Sequence, residues 1–138
     1  MLLATLLFLS SPYSAHAHEQ ATVIVRANRA RPAIERILRA DNLRVDLLPP
    51  AEVAARMEQI DQGGAPDHFW AAYQIHVRAW RAYASALARS RRDDLRDPDR
   101  QAAMAVAEAR IAINTSFARV EKIARHYKAR IPVLTSAR

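Results

Sequence analysis

Apolar residues recur every three to four positions in four stretches of the chain, and none of these stretches shows the sustained alternation of a strand. The first stretch runs from about Ala21 to Ala40, and the second begins at Pro50. The third follows Pro66, and the fourth follows Pro98 and continues to about Ala129. Proline suits the first turn of a helix, where the backbone N–H groups have no partner within the helix. The pattern therefore predicts four helices and an all-α fold.

Turn-forming residues separate the predicted helices. The Asp41–Asn42 pair follows the first helix, and the Gly63–Gly64 pair is expected to stop the second helix after Ile60. Asp97 is a good N-cap for the fourth helix. Pro32 falls inside the first segment, so either the helix begins there or a kink lies at that point.

The third and fourth helices are the longest, at roughly 25 to 30 residues each, and each has one apolar stripe. The stripes contain Phe69, Tyr73, Val77, Trp80, Ala84 and Leu87 on the third helix, and Val106, Ile113, Phe117, Val120, Ala124 and Tyr127 on the fourth. A short connection, from about Arg91 to Asp97, lets the two helices lie antiparallel. Burial of each large apolar side chain contributes about 1.5–3 kcal/mol, so both stripes should be covered. We predict a small, irregular helical bundle, built on a long antiparallel helical hairpin with two shorter helices packed on it.

The N-terminus has the pattern of an export signal. Leu2–Leu9 is an apolar run broken by one threonine, and Ala15 and Ala17 then form an A-x-A sequence. Signal peptidase cleaves after such a sequence because its pockets admit only small side chains. The run is shorter than the about 20 apolar residues that span a bilayer. We therefore expect residues 1–17 to be a signal peptide, residues 18–138 to form one helical domain, and the mature protein to be periplasmic or secreted.

Two features bear on this interpretation of the N-terminus. No lysine or arginine follows Met1, so either the signal is weakly charged or the true start lies upstream. The alternative to a cleaved signal is a helix that stays in place and tethers the protein to a membrane. After signal cleavage, no further segment of the chain is apolar enough to form a transmembrane helix.

The composition narrows the possible functions. The chain has 138 residues, of which 51% are hydrophobic and 25% charged, with only 2 glycines. This balance is typical of one folded domain and excludes a disordered or linker-like chain. The absence of cysteine excludes a disulfide scaffold, a lipoprotein anchor, thiol catalysis, cysteine-ligated zinc, iron–sulfur clusters and covalently attached haem.

The net charge of +7 comes almost wholly from arginine, and no charged side chain lies in residues 1–17. The mature chain would keep this whole charge, which attracts anionic partners over about a Debye length. Candidates for contacting such a partner, on the first and third predicted helices, are Arg29, Arg36, Arg78 and Arg81. The partner would be an envelope protein or an anionic lipid, since an exported protein seldom meets nucleic acid. Alternatively, these arginines form ordinary solvated helix faces.

Two histidines are candidate metal ligands, although no cofactor is predicted. His76 lies on or beside the aromatic stripe of the third helix, where it either ligates haem or a metal or donates to a nearby oxygen. Cleavage after Ala17 would make His18 the first residue, and its imidazole and α-amine would then form a chelate suited to Cu(II). Such a site needs another histidine from the fold, for example His68, His76 or His126.

No catalytic pattern is present in the sequence. The chain has no G-x-S-x-G, Walker A or Rossmann glycine pattern. Four aspartates between the long helices, Asp93, Asp94, Asp97 and Asp99, lack the spacing of a calcium loop. We expect a non-enzymatic binding or interaction module for a protein or an anionic envelope component. A metal- or haem-binding bundle is one alternative, and a periplasmic chaperone-like hairpin is another, although the Leu-Thr-x-x-Gln repeats of such chaperones are missing.

Three short segments carry a resemblance to a known group of proteins. They are the segment Arg56–Asp61, the set Pro66, Phe69, Tyr73, His76, Ala79 and Trp80, and the segment Val120–Tyr127. Together they resemble small, uncharacterised exported all-helical proteins of bacteria. Those proteins often carry a cysteine before the proline, where this chain has Ala65. The resemblance implies export and an all-helical fold, and no activity.

The A-x-A sequence leads to a first test. The exported protein should begin at His18, because Ala15 and Ala17 occupy the positions that signal peptidase requires to be small. Ala17→Leu should leave the precursor uncleaved, which intact-mass measurement of the envelope fraction detects. His16→Leu is the matched control, because the residue between the two alanines is unrestricted. Normal cleavage of Ala17→Leu at the same bond would show that the segment is not this kind of signal.

Overall fold

The computed structural model describes residues 29–93 and 100–133. Within these ranges the chain forms four helices and no strand: α1 over residues 29–40, α2 over Pro50–Glu58, α3 over Asp67–Asp93 and α4 over Arg100–His126. The predicted all-α fold is confirmed, and α3 and α4 have 27 residues each, within the predicted length. None of the described helices combines the length and hydropathy that a membrane span requires.

The two long helices form the predicted antiparallel hairpin. α3 packs against α4, and α2 packs on α3. Side-chain contacts join earlier residues of α3 to later residues of α4 and of the turn after it, in the pairs Tyr83–Arg110, His76–Ser116 and His68–Tyr127. This order of contacts is possible only for helices that run in opposite directions.

The hydrophobic core lies at the open end of the hairpin. Its largest fully buried side chains come from all four helices, namely Ile34, Ile37, Val53, Met57, Phe69, Tyr73 and Val120. The predicted stripes are therefore buried most deeply where α1 and α2 cover them. Trp80, Ala84 and Leu87 on α3 and Val106 on α4, which are nearer to the connection between the long helices, are only half-buried.

The second helix ends earlier than the glycine pair predicts. α2 ends at Glu58, so Ile60 lies outside the helix, although it still packs against the core. The N–H of Gln59 donates to the carbonyl of Arg56, and the N–H of Ile60 donates to that of Met57, both at 3.2 Å. These bonds complete the last turn without a glycine.

The end of α4 also differs from the prediction. The helix stops at His126 instead of about Ala129, and Lys128 then takes a positive φ of 54°. The N–H of Ala129 donates back to the carbonyl of Ala124 at 3.0 Å, which closes the helix end. Tyr127 therefore belongs to a turn, although its ring still packs against the core.

Several predicted helix boundaries fall at or beyond the described ranges. Residues 29–31 are already helical, so Pro32 is not the first residue of α1. The predicted signal peptide, residues 21–28 of the first predicted segment, and the proposed cap at Asp97 lie outside the described residues. Pro66 immediately precedes α3, and its carbonyl accepts the N–H of Trp70 at 2.9 Å, as expected for a residue that starts a helix.

Two polar contacts attach α1 to distant parts of the chain. The Arg36 guanidinium donates to both the carbonyl and a carboxylate oxygen of Asp61, at 2.9 and 3.0 Å, in the loop between α2 and α3. Glu35 accepts the backbone N–H of Arg130 at 2.9 Å. That hydrogen bond, followed by the one from Arg31, lowers the pKa of Glu35. The segment after α4 is thereby held against α1.

The two adjacent glycines allow a matched test of the α2–α3 loop. Gly63 has a φ of 52°, and a Cβ atom there would collide with the Arg36 guanidinium. We therefore expect Gly63→Ala to lower the free energy of unfolding by about 1–2 kcal/mol. A Cβ atom on Gly64 would have only the Ala33 Cβ nearby, at 3.8 Å, which is an ordinary contact. Gly64→Ala should therefore be neutral, or stabilising by less than about 1 kcal/mol.

Urea denaturation of the two variants measures this difference. Equal losses of stability in Gly63→Ala and Gly64→Ala would show that neither the positive φ nor the contact with Arg36 restricts position 63.

Candidate functional site

A cleft of about 570 Å³ lies between the end of α1, the start of α2 and the middle of the hairpin. Small-molecule sites in proteins commonly measure about 300–1,000 Å³. Most of its wall is apolar, with contributions from Leu38, Leu43, Leu48, Trp80, Ile113 and Phe117. Its ionisable groups are few: Asp41, His76, Arg110 and Glu121, together with the Tyr83 hydroxyl. The cleft thus combines apolar walls with a small number of polar groups.

A second groove, between α2 and α3, has a different character. It measures about 310 Å³, and its lining is mostly alanine, with Glu58 and Arg81 at its polar side. These two side chains form a salt bridge with each other. The groove therefore offers a ligand a shallow apolar surface whose charges already neutralise each other.

Asp41 places a carboxyl group in the larger cleft. It follows the last turn of α1, and its N–H donates to the carbonyl of Ile37 at 2.9 Å. Its carboxyl group accepts the hydroxyl proton of Tyr73 at 3.2 Å. Burial raises the pKa of Asp41 to about 7, although the bond from Tyr73 acts in the opposite direction. The C-terminal end of a helix also disfavours a negative charge.

His76 is a buried neutral histidine, held between α3 and α4. The Ser116 hydroxyl lies 2.6 Å from the carbonyl of Ala112 and 2.9 Å from that of Ile113, so its single proton is donated to the main chain. The serine oxygen therefore accepts from Nδ1 of His76, at 2.9 Å. Burial lowers the pKa of His76 to about 4. Phe117 packs beside the ring, with centroids 5.1 Å apart.

The remaining polar groups lie on the α4 side of the cleft. Arg110 donates to the Tyr83 hydroxyl at 3.3 Å, and the central carbon of its guanidinium lies 6.0 Å from the centre of the Tyr83 ring. Glu121 accepts a hydrogen bond from Arg125 at 3.2 Å. Both charged groups of this wall are thus already engaged with neighbours.

The structure locates one of the two candidate metal ligands. His76 hydrogen-bonds to Ser116, and within the described residues no three His, Asp or Glu side chains are grouped as metal ligands would be. His68 lies on the surface near Tyr127, with 3.3 Å between Nε2 and the hydroxyl. His18 lies outside the described residues. Metal or haem binding by His76 or His18 stays a prediction.

The four candidate anion-binding arginines differ in their surroundings. Arg36 is bonded to Asp61, and Arg81 pairs with Glu58. Arg29 and Arg78 are exposed, and neither forms an ion pair with another described residue. An anion that binds Arg36 or Arg81 has to compete with a carboxylate of the same protein. Their role in binding an anionic partner stays a prediction.

Sequence reasoning missed the cleft itself. It assigned Asp41 to a turn, which is correct, but did not predict that its carboxyl group would be enclosed by apolar walls. The only signal in the sequence is the position of Asp41 between two leucines, Leu38 and Leu43. The sequence also gives no sign that Ser116, a polar residue of α4, is buried against His76.

The two shifted pKa values predict opposite effects of pH on stability. The pKa of Asp41 rises from 3.8 to about 7 on folding. Its contribution to the free energy of unfolding is therefore complete below about pH 3.8 and is lost as the pH rises to about 7. The pKa of His76 falls from 6.5 to about 4, so its contribution is complete above about pH 6.5 and is lost as the pH falls to about 4. Between about pH 4 and pH 6.5 the two groups change the free energy of unfolding in opposite directions, each by up to about 1.4 kcal/mol per pH unit, so their effects should offset each other.

Single substitutions should reveal the two slopes. Relative to the wild type, Asp41→Asn should gain stability as the pH rises from about 4 to about 6.5, because it lacks the Asp41 contribution that the wild type loses over this interval. His76→Gln should lose stability over the same interval. Urea denaturation at a series of pH values measures both, and subtraction of the wild-type curve removes the effect of all other groups. Curves parallel to the wild type in both variants would show that neither group is perturbed by burial.

Comparisons with known proteins reveal no relative. No family model matches the chain, and neither does any curated protein or solved structure. The function therefore has to be inferred from the cleft, from the residues that line it and from the charges around it.

Proposed function

We propose that the protein is an exported, non-enzymatic binding protein whose cleft holds a small amphipathic ligand. The observation that carries this proposal is the cleft of about 570 Å³, with apolar walls and a few polar groups. Sites of this size and composition enclose most of the surface of a small organic molecule. Export is supported by the predicted signal peptide of residues 1–17.

Some residues that line the cleft also belong to the buried core, which keeps the cleft wall in place without a ligand. Leu38 and Val53 line it and also belong to the buried core, with 3% and 1% of their surfaces exposed. His76 is 4% exposed and is held by Ser116. A preformed site loses less conformational entropy when a ligand binds, and this favours affinity.

The polar groups of the cleft are arranged for binding better than for catalysis. A serine beside a histidine is activated as a nucleophile only if the histidine accepts the hydroxyl proton. Ser116 is not among the residues that line the cleft, and its hydroxyl lies within hydrogen-bond distance of two main-chain carbonyls, which favours acceptance of a hydrogen bond from His76 over donation to it. This geometry supports a binding function.

An anionic envelope component is a second candidate ligand, bound on the surface and outside the cleft. The charge of +7 and the exposed Arg29 and Arg78 favour it. Arg36 and Arg81 contribute to such a surface only if they leave Asp61 and Glu58. The cleft is favoured over this surface because its residues already form a concave, mostly apolar wall.

A cleft-blocking substitution tests the proposed binding site. Ala118 is exposed at the cleft wall, and Ala118→Phe places a ring in the volume that a ligand would occupy. We expect the neutral apolar dye Nile red to bind the wild type at one site, and the variant to bind it at least about ten-fold more weakly. Fluorescence titration measures both affinities.

Ala107→Phe is the matched control, since Ala107 is an exposed alanine of the same helix that does not line the cleft. Its affinity for Nile red should equal that of the wild type. An equal loss in both variants, or no loss in Ala118→Phe, would contradict binding in the cleft.

A further inference from the structure

We propose that the ligand of the cleft is an organic cation, namely a protonated amine with an apolar body, whose ammonium group pairs with Asp41. This inference rests on the proposed binding function of the cleft and specifies the chemistry of the ligand.

Asp41 differs from most of the other acidic side chains in its hydrogen-bond partner. In the part of the chain that the structure describes, six carboxylates form salt bridges with arginine: Glu35, Asp46, Glu52, Glu58, Asp61 and Glu121. Asp41 is in none of these pairs, and its carboxyl group is bonded to the neutral hydroxyl of Tyr73. A carboxylate removed from water is stable only when it is paired and hydrogen-bonded. In a chain with a charge of +7, Asp41 is therefore the residue of the cleft lining whose carboxyl group has no cationic partner among the described residues.

The C-terminal end of α1 also favours a cation beside Asp41. The last carbonyl groups of a helix carry a partial negative charge, which favours a cation nearby. Leu38, Asp41 and Asn42, at this helix end, all line the cleft. The helix end and the ionised carboxylate of Asp41 would therefore attract an ammonium group to the same place.

The aromatic walls supply a third contribution. Trp80, Tyr83 and Phe117 line the cleft. A cation within about 6 Å of an aromatic ring centre is attracted by the negative face of the ring. Arg110 already lies at this distance from Tyr83, so Trp80 and Phe117 are the rings that remain for a ligand cation. The apolar body of the amine would pack against the leucine and isoleucine side chains.

The other ionisable groups of the cleft do not replace the ligand cation. Buried His76 is neutral because its pKa falls to about 4, so it cannot serve as the positive partner of Asp41 near neutral pH. Arg110 is bonded to Tyr83, and Glu121 is paired with Arg125. An anionic ligand could use Arg110, but the negative end of α1 and the ionised form of Asp41 would repel it.

Three ligands of one shape distinguish the possibilities: phenylbutylamine, phenylbutanol and phenylbutanoate, which are cationic, neutral and anionic. Calorimetric titration of the exported protein, residues 18–138, near pH 7, gives their affinities, and displacement of Nile red shows that they occupy the cleft. We expect the amine to bind at least about ten-fold more tightly than the alcohol, and the carboxylate to bind most weakly. Binding of the amine at about pH 6 should also release close to one proton, because Asp41 ionises when the ammonium group arrives.

Asp41→Asn tests the pairing directly, since its amide oxygen can still accept the bond from Tyr73. The variant should bind the amine no more tightly than the alcohol, keep its affinity for the alcohol, and release no proton. Asp46→Asn is the matched control, because Asp46 lies in the same loop, pairs with Arg44 and does not line the cleft. It should retain the preference for the amine.

The outcomes separate the inference from the proposed function. Stronger binding of phenylbutanoate, or an unchanged amine preference in Asp41→Asn, overturns the cationic ligand but leaves a binding cleft. If none of the three ligands displaces Nile red, and Nile red itself does not bind, the proposed function is overturned as well.

Discussion

The fold depends on the burial of one face of α3, from Phe69 to Val77, beneath α1, α2 and the later part of α4. Phe69 and Tyr73 are fully buried there, and side chains from all four helices complete the core. The chain has no cysteine, so no disulfide bond supports this packing. Tyr73 also connects the core to the cleft, because its ring lies in the core and its hydroxyl reaches Asp41.

The charge of the cleft differs from that of the whole chain. The surface carries many arginines, of which six form ion pairs with carboxylates in the described residues. In the cleft, by contrast, burial favours the protonated form of Asp41 and the neutral form of His76. In the unfolded chain, near pH 5, these groups carry opposite charges, since their ordinary pKa values are near 3.8 and 6.5. Folding therefore adds a proton to one and removes a proton from the other.

The parts of the fold that depend on local chemistry could be predicted from the sequence. Pro50 and Pro66 mark the starts of α2 and α3, because proline suits the first turn of a helix. The spacing of apolar residues predicted the long hairpin. The helix ends were less predictable: α2 stops at Glu58 although Gly63 lies five positions later, because ordinary residues closed the last turn.

The sequence by itself determined the helical content, the pairing of the two long helices and the large positive charge, since these follow from residue types and their spacing. Only the tertiary structure decided which polar side chains are enclosed. Asp41 meets Tyr73 across 32 positions, and His76 meets Ser116 across 40. The burial and pKa of a side chain depend on such distant neighbours. For this reason the sequence alone did not show that Asp41 and His76 both line the cleft.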